Sequence, residues 1–333
     1  MSVIKVGLIC GGESDEHEIS CLSALSIFDA IDREKFQPLL LGISQDGEGF
    51  IELQGREDFD SDQNGLPVVP EKGNFQALDP EIQLLFPLLH GANGEDGVFQ
   101  GYADFLGFNY LGSGVLASAT AMDKAVAKEV FIQSGLKVAR GEVVRDKNWK
   151  NQNFSYPFFI KPATGGSSRG TVKVKSESEV FTAINEAFKY DDKVLIEEAI
   201  IGREIECGVL IIDGEVKSSL PGEIKIVGAH EFYDYEAKYL DSATELLIPA
   251  PISNQLSEAV QTLAKKAFTA IGCEGLARVD FFITNEDEII INEINTMPGF
   301  TSKSAFPLLW KATGLSYQEL ITVLIEGGLA KIK

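Results

Sequence analysis

The sequence predicts an α/β protein of two or three domains, and three observations carry that expectation. The chain is 333 residues long, which is long for a single core. Its first 122 or so residues alternate apolar runs with helical patterns, the order that builds a doubly wound parallel sheet. Its last third instead holds two hairpin patterns and a long helix, a different order of elements.

In the first part, "IKVGLIC" and "FQPLLLGIS" are strands, with "HEISCLSALSIFDAI" as the helix between them. "IQLLFPLLHG" is a third strand and "DGVFQGYADFLG" a second helix. "SQDGEGF" is a turn, and "DFDSDQNGLPVVPEKGNF" is loop with short strands. From Met122 the pattern changes. "MDKAVAKEVFIQSG" is a helix stopped by glycine, and "YPFFIKPATGG" is a strand running into a loop. "TVKVK" and "KVLIEEAI" are strands around the helix "ESEVFTAINEAFKY". "REIECGVLIIDGEVKSS" is a hairpin turning at Asp213-Gly214. After the polar stretch "HEFYDYEAKYLDSAT" comes a helix that Ser253 or Asn254 could cap. "LARVDFFITNEDEIIINEIN" is the second hairpin.

Composition removes several function classes. Hydrophobic residues at 44% and charged residues at 24% are those of an ordinary soluble protein. A formal charge of −21 argues against nucleic-acid or anionic-membrane partners, which need basic surface. No apolar run approaches a bilayer span. The start reads as a buried strand rather than a signal peptide, so a cytoplasmic protein is expected. Four cysteines without CxxC or metal spacing are expected to be buried, inert thiols. Three histidines make a His-rich metal site implausible.

The chemistry-bearing residues lie far apart in sequence. Asp280 sits on one strand of the last hairpin, with Glu293 and Asn295 two apart on the return strand. Alternation places Glu293 and Asn295 on one face, and the hairpin can bring Asp280 beside them, a set of oxygen donors suited to a hard cation such as Mg²⁺. The competing reading is a solvated strand face, weakened by the apolar residues around the acids. Lys124, Lys161, Lys238 and Arg278 are each most simply surface charges. Lys161, however, follows "PFFI" at a strand end, a costly place for an unpaired ammonium. "KPATGGSSRG" offers backbone N–H groups and hydroxyls to phosphate, or is only a turn. It is no Walker motif, and "GLICGGES" lacks the dinucleotide fingerprint. "CGGESDEHEIS" crosses from strand to helix where doubly wound sheets bind ligands. Glu16 or Glu18 there could meet a cation, or could simply match the helix N-terminus.

Taken together, these segments resemble the D-alanine–D-alanine ligase family of ATP-grasp ligases, over essentially the whole chain and in order. "GGESDEHEIS" resembles its N-terminal signature, and "HGANGEDGVFQGYADFLGFNYLGSGVLASATAMDK" its second. "KPATGGSSRG" is similar to its ATP-covering loop, "VLIEEAIIGREIE" to its adenine hinge, and "EFYDYEAKY" to its omega loop. "ARVDFF…NEINTMPGFTSKS" is similar to its metal and substrate hairpin.

The resemblance implies an ATP-grasp fold that clamps ATP between two α+β domains, at residues 123–220 and 221–333, behind an N-terminal substrate domain at 1–122. It implies ATP and two Mg²⁺ ions (or Mn²⁺) as cofactors, and D-alanine as substrate. Lys124, Lys161 and Lys238 would reach phosphates, and Glu197, Glu198, Ile200 and Glu204 would frame adenine and ribose. Asp280, Glu293 and Asn295 would hold the metal. Glu16 would accept the first D-alanine's ammonium, with Ser167 and Tyr239 orienting substrates. Arg278 and the N–H of Gly299 would stabilise an oxyanion, and Ser304 would take the second carboxylate. A cytoplasmic homodimer supplying peptidoglycan precursor is also implied.

Two positions depart from the family pattern. Arg169 stands where valine is usual, and could pair with an acid or approach phosphate. Ala305 is smaller than usual and could relax discrimination between D-alanine and D-serine. Other amino-acid pairs, D-alanine with D-serine among them, are the alternative substrates, and an inactive ATP-binding homologue is the non-enzyme alternative.

Overall fold

The computed structural model describes residues 3–47, 49–71, 77–226 and 244–330. The polar stretch expected to form the omega loop, with Lys238 and Tyr239, lies outside the described residues.

The first sheet has strand order β3-β2-β1-β6. Strand β1 (Ile4–Gly11) pairs in parallel with β2 (Phe36–Ile43), and β3 (Phe50–Leu53) adds an antiparallel edge that the sequence reading missed. A small ladder joins β4 (Asp60–Ser61) to β5 (Pro67–Val68). Strand β6 (Leu84–Pro87) pairs with the other side of β1. Helix α1 (His17–Ala30) packs Cys21, Ala24, Leu25 and Ile27 on one face of this sheet. Helix α2 (Val98–Leu106) packs Phe99 and Ala103 on the other. The doubly wound expectation holds.

Helices α3 (Val115–Met122) and α4 (Lys124–Gln133) follow, α4 capped by Asp123, whose carboxylate accepts from the N–H groups of Ala125 and Val126. The second sheet runs β7-β10-β8-β9, from β7 (Gly141–Val144), β8 (Phe158–Pro162), β9 (Val172–Val174) and β10 (Val194–Glu198). Helix α5 (Glu177–Ala187) buries Val180, Ala183 and Ile184 against it.

The third sheet is built on β11 (Gly202–Ile212) and its hairpin partner β12 (Glu215–Ser218). The turn falls at Asp213-Gly214, both at positive φ, as a tight hairpin requires. Then come β13 (Gly222–Ile226), β14 (Thr244–Leu247), β15 (Leu276–Thr284) and β16 (Ile289–Asn295). These strands start at Gly202, so segments 123–220 and 221–333 share this sheet. Helix Asn254–Ile271 covers it, capped by Ser253, which accepts from the Leu256 N–H, and ended by Gly272 in the left-handed region.

Two C-terminal helices, Ala305–Ala312 and Tyr317–Ala330, had no expectation from sequence. They send Phe306, Trp310, Leu320 and Leu324 into the core that also holds Val6, Leu8 and Phe86 of the first sheet. Phe300 is the joint of that core: fully buried, its ring lies 5.7 Å from Phe86 and 5.8 Å from Phe306. All four cysteines are free and buried, as expected. Among the described residues, no helix is long and apolar enough to cross a membrane.

Phe300→Ala is expected to cost about 3–5 kcal/mol, because it opens a cavity between two structural units that cannot both collapse into it. Urea unfolding followed by tryptophan fluorescence checks this, and an unchanged midpoint would mean that the joint carries no load.

Candidate active site

Residues from elements of all three sheets line a cleft made of two adjoining cavities of about 440 Å³ and about 490 Å³. Lys124, Ser167, Arg278 and Glu293 line both.

The first cavity begins where β1 hands over to α1. Gly11 and Gly12 have φ of 87° and 92°, and a Cβ at Gly11 would run into the Ile43 carbonyl. Buried His17 fastens this crossing: its Nδ1–H donates to Gly12 O at 2.7 Å, and its Nε2 accepts from the Val69 N–H at 3.0 Å. Glu16 is thereby held nearly buried at the N-terminus of α1.

The loop after β8 comes down onto it. Ser167, at φ 51°, donates its Oγ–H to Glu16 Oε1 at 2.6 Å. Gly166 permits the approach, since a Cβ there would sit 3.0 Å from Glu16 Oε2. Lys124 ties the loop from the other side, donating from Nζ to Gly165 O at 2.6 Å. Arg169 pairs with Asp15 at 2.8 Å. Of the two readings left open for this arginine, pairing with an acid is the one found.

The polar row lies on the third sheet. Arg278 grips Asp280 through two hydrogen bonds of 2.8 and 2.7 Å and lies 3.3 Å from Glu206 Oε1. Glu206, Asp280 and Glu293 are register partners across β11, β15 and β16, so their side chains share one face. Asn295 stands opposite Arg278, its Oδ1 accepting from the Met297 N–H at 3.0 Å. Among the described residues, no three His, Cys, Asp or Glu side chains converge as a complete metal cage. Asp280, Glu293 and Asn295 do fit Mg²⁺, which takes one or two carboxylates and completes its shell with phosphate and water. Beyond this row, Ser304 accepts from the Thr301 N–H at 3.1 Å at the start of helix Ala305–Ala312, and Gly299 and Ala305 line the same cavity.

The second cavity is framed by Lys161, Glu197, Glu198, Ile200 and Glu204. Glu197 is buried between Lys161, at 2.7 Å, and Lys128. Burial alone would raise its carboxyl pKa, but Lys161 and Lys128 outweigh that and hold it below the usual range. Glu198 accepts from the Arg140 N–H at 2.7 Å.

Sequence reasoning missed three members of this cleft and a lysine that stands behind it. Glu206 is hidden in the apolar context of β11, although its two-residue spacing from Glu204 was a usable signal. His90 follows directly after a buried strand; it donates Nδ1–H to Met297 O at 3.0 Å, and burial lowers its pKa, leaving a neutral ring with Nε2 as an acceptor. Glu95 accepts from the Gly91 N–H at 2.9 Å, and burial together with Glu16 pushes its pKa up to about 8. Lys128 repeats Lys124 one turn on, a spacing that by itself marks only a helix face.

A cavity of about 490 Å³ beside an acidic strand face, lined by a Gly/Ser loop, is the arrangement expected of an ATP-grasp ligase. Two family models match the chain, "D-ala D-ala ligase N-terminus" over residues 5–113 and "D-ala D-ala ligase C-terminus" over residues 128–326. A D-alanine--D-alanine ligase of Geobacillus thermodenitrificans is 45% identical, with 98% of this chain and 96% of that protein aligned. One from Streptomyces coelicolor is 40% identical over 98% and 93%. The solved VanG D-Ala:D-Ser ligase from Enterococcus faecalis superposes with a TM-score of 0.82 at 33% identity, covering 98% of this chain and all of that one. The D-alanine-D-alanine ligase from Coxiella burnetii gives 0.82 at 32%, covering 99% and 95%. The chain belongs to the D-alanine–D-alanine ligase family.

The Glu95 carboxyl gives a pH signature. Below its ordinary value of 4.5 it is protonated in folded and unfolded chains alike; between there and about 8 only the folded state keeps the proton. Stability is therefore lost as pH rises through that window. Thermal melts of the ligand-free protein are expected to show this decline, and Glu95→Gln is expected to lack it. Parallel curves for the two proteins would contradict the buried, protonated state.

Proposed function

We propose that this protein is an ADP-forming D-alanine–D-alanine ligase acting through D-alanyl phosphate. The observation that carries the reading is the Glu16–Ser167 contact. It sets a buried carboxylate in the cavity that adjoins both the acidic strand face and the second, nucleotide-sized cavity.

In this reading Glu16 takes the ammonium of the first D-alanine, and Ser167, with Tyr239, orients it. Neutral His90 adds an Nε2 acceptor on the same wall. Lys124, Lys161 and Lys238 face the ATP phosphates, while Glu197, Glu198, Ile200 and Glu204 frame the base and ribose. The first D-alanine's carboxylate attacks the γ-phosphorus, forming a C–O–P linkage and releasing ADP. Asp280, Glu293 and Asn295 would hold two Mg²⁺ ions (or Mn²⁺), which supply charge neutralisation on the phosphates when bound.

The amine of the second D-alanine then attacks the acyl carbon. The tetrahedral oxyanion falls to Arg278 and the Gly299 N–H, collapse expels phosphate, and the amine proton is lost. Ser304, at a helix N-terminus that favours anions, receives the second carboxylate. The 165–170 loop, held by Glu16, Lys124 and Asp15, keeps water from the acyl phosphate.

The proposal includes three working units, at residues 1–122, 123–220 and 221–333, the last two joined through the third sheet, and a cytoplasmic homodimer that supplies peptidoglycan precursor. The similarity to a D-Ala:D-Ser ligase and the small Ala305 favour a second reading, in which D-serine is accepted at the second subsite. One methylene or hydroxyl is worth only about 1–3 kcal/mol there.

With ATP, Mg²⁺ and D-alanine, the purified protein is expected to release one ADP per dipeptide formed, and none with L-alanine. Mixed D-alanine and D-serine should yield some mixed dipeptide. Absence of ADP release with D-alanine would remove the substrate assignment, and complete rejection of D-serine would remove the second reading.

Arg169→Val should have a modest effect, because the Arg169–Asp15 pair is exposed and such pairs are worth about 0–1 kcal/mol. KM for ATP is expected to rise by no more than about fivefold, and the difference should fade near 0.5 M salt, roughly, as the pair is screened. A salt-independent loss would assign Arg169 to phosphate instead.

A further inference from the structure

Helix α4 carries a lysine for which the reaction above has no role. Lys128 is only 5% exposed, and it stands behind the nucleotide cavity rather than on its wall. Its ammonium ion-pairs with Glu197 Oε1, while Glu197 Oε2 holds Lys161 at 2.7 Å. Among the described residues, nothing else takes a hydrogen bond from Lys128 Nζ.

A buried ion pair of this kind is a poor source of stability, because desolvating the charges offsets their attraction. An apolar side chain would fill the space at lower cost. What the lysine brings is charge. Two ammonium groups and one carboxylate leave the buried triad at 2 − 1 = +1. Without Lys128, Glu197 and Lys161 would cancel, and the strand-end cation that lines the nucleotide cavity would offer phosphate a neutral pair.

We propose that Lys128 is a positioning residue for nucleotide binding: it compensates Glu197, so that Lys161 presents uncancelled positive charge to a bound polyphosphate. The inference rests on the nucleotide reading of this cavity. It extends the cation set beyond the groups that reach the ligand, to one that acts through Glu197. Burial pulls the Lys128 ammonium pKa down, and Glu197 works against that.

The test is calorimetric binding of Mg-ATP and of Mg-tripolyphosphate, which has no base, to four proteins: wild type, Lys128→Met, Glu197→Gln and the double variant. Their triad charges are +1, 0, +2 and +1. Affinity for tripolyphosphate is expected to fall at least about fivefold in Lys128→Met and to return to within about twofold of wild type in the double variant, with Glu197→Gln tightest. A packing role would instead leave the double variant as weak as the single one.

KM for D-alanine in Lys128→Met should stay within about twofold of wild type at saturating ATP, since the lost charge acts on phosphate. Unchanged tripolyphosphate affinity in Lys128→Met, or no recovery in the double variant, overturns the proposal. If Lys128→Met does not fold, Glu197→Gln against the double variant decides: about fivefold weaker binding by the latter is expected, and equal affinities overturn it. A wild-type protein that binds neither ligand removes the nucleotide reading and this inference with it.

Discussion

The cleft depends on charge pairing out of water. Glu197 is nearly enclosed, as are Lys128 and Glu206, and none could remain ionised there alone at tolerable cost. Each has a partner of opposite sign: Lys128 and Lys161 flank Glu197, and Arg278 lies between Glu206 and Asp280. Pairing offsets part of the cost of holding these groups out of water, and it fixes them in place before an incoming phosphate or carboxylate arrives.

The arrangement also reconciles a chain of −21 with an anionic ligand. Long-range attraction is absent, and an acidic surface disfavours polyanions. The cleft works at short range instead, gathering Lys124, Lys161, Lys128 and Arg278 where low dielectric makes each worth more than it would be on the surface. The acids Asp280 and Glu293 sit among these cations, and that mixture is what a nucleotide with divalent metal requires. Specificity and affinity then come from placement, not from net charge.

Placement in turn depends on loops held by several sheets at once. The 165–170 loop leaves the second sheet, touches Glu16 of the first through Ser167, and is tied at Gly165 by Lys124. The Gly299–Ser304 turn leaves the third sheet and is fixed to α1, where the Phe300 N–H donates to Ser23 Oγ at 3.2 Å. The core around Phe300 keeps these attachments in register, since the first sheet and the C-terminal helices share it. A site assembled in this way is sensitive to packing far from the chemistry.

By itself the sequence determined the local elements and the chemical vocabulary. The strand and helix patterns around α1, α4, α5 and the two hairpins were legible because hydrophobic period and capping residues are local properties. Ser253 and the Asp213-Gly214 turn behaved as their types require. Glu293 and Asn295 could be placed on one strand face by alternation alone, while the partnership of Asp280 with Glu293 was decided by the hairpin register. The edge strand β3 and the C-terminal helices were not legible, because what stabilises them is burial against segments hundreds of residues away. The same reason hid Glu206, His90, Glu95 and Lys128. Apart from the spacing of Glu206 from Glu204, their neighbourhoods do not separate a buried site residue from an ordinary one until the sheets meet, and only that meeting decided that Arg169 faces Asp15 and that Glu197 stands between two lysines.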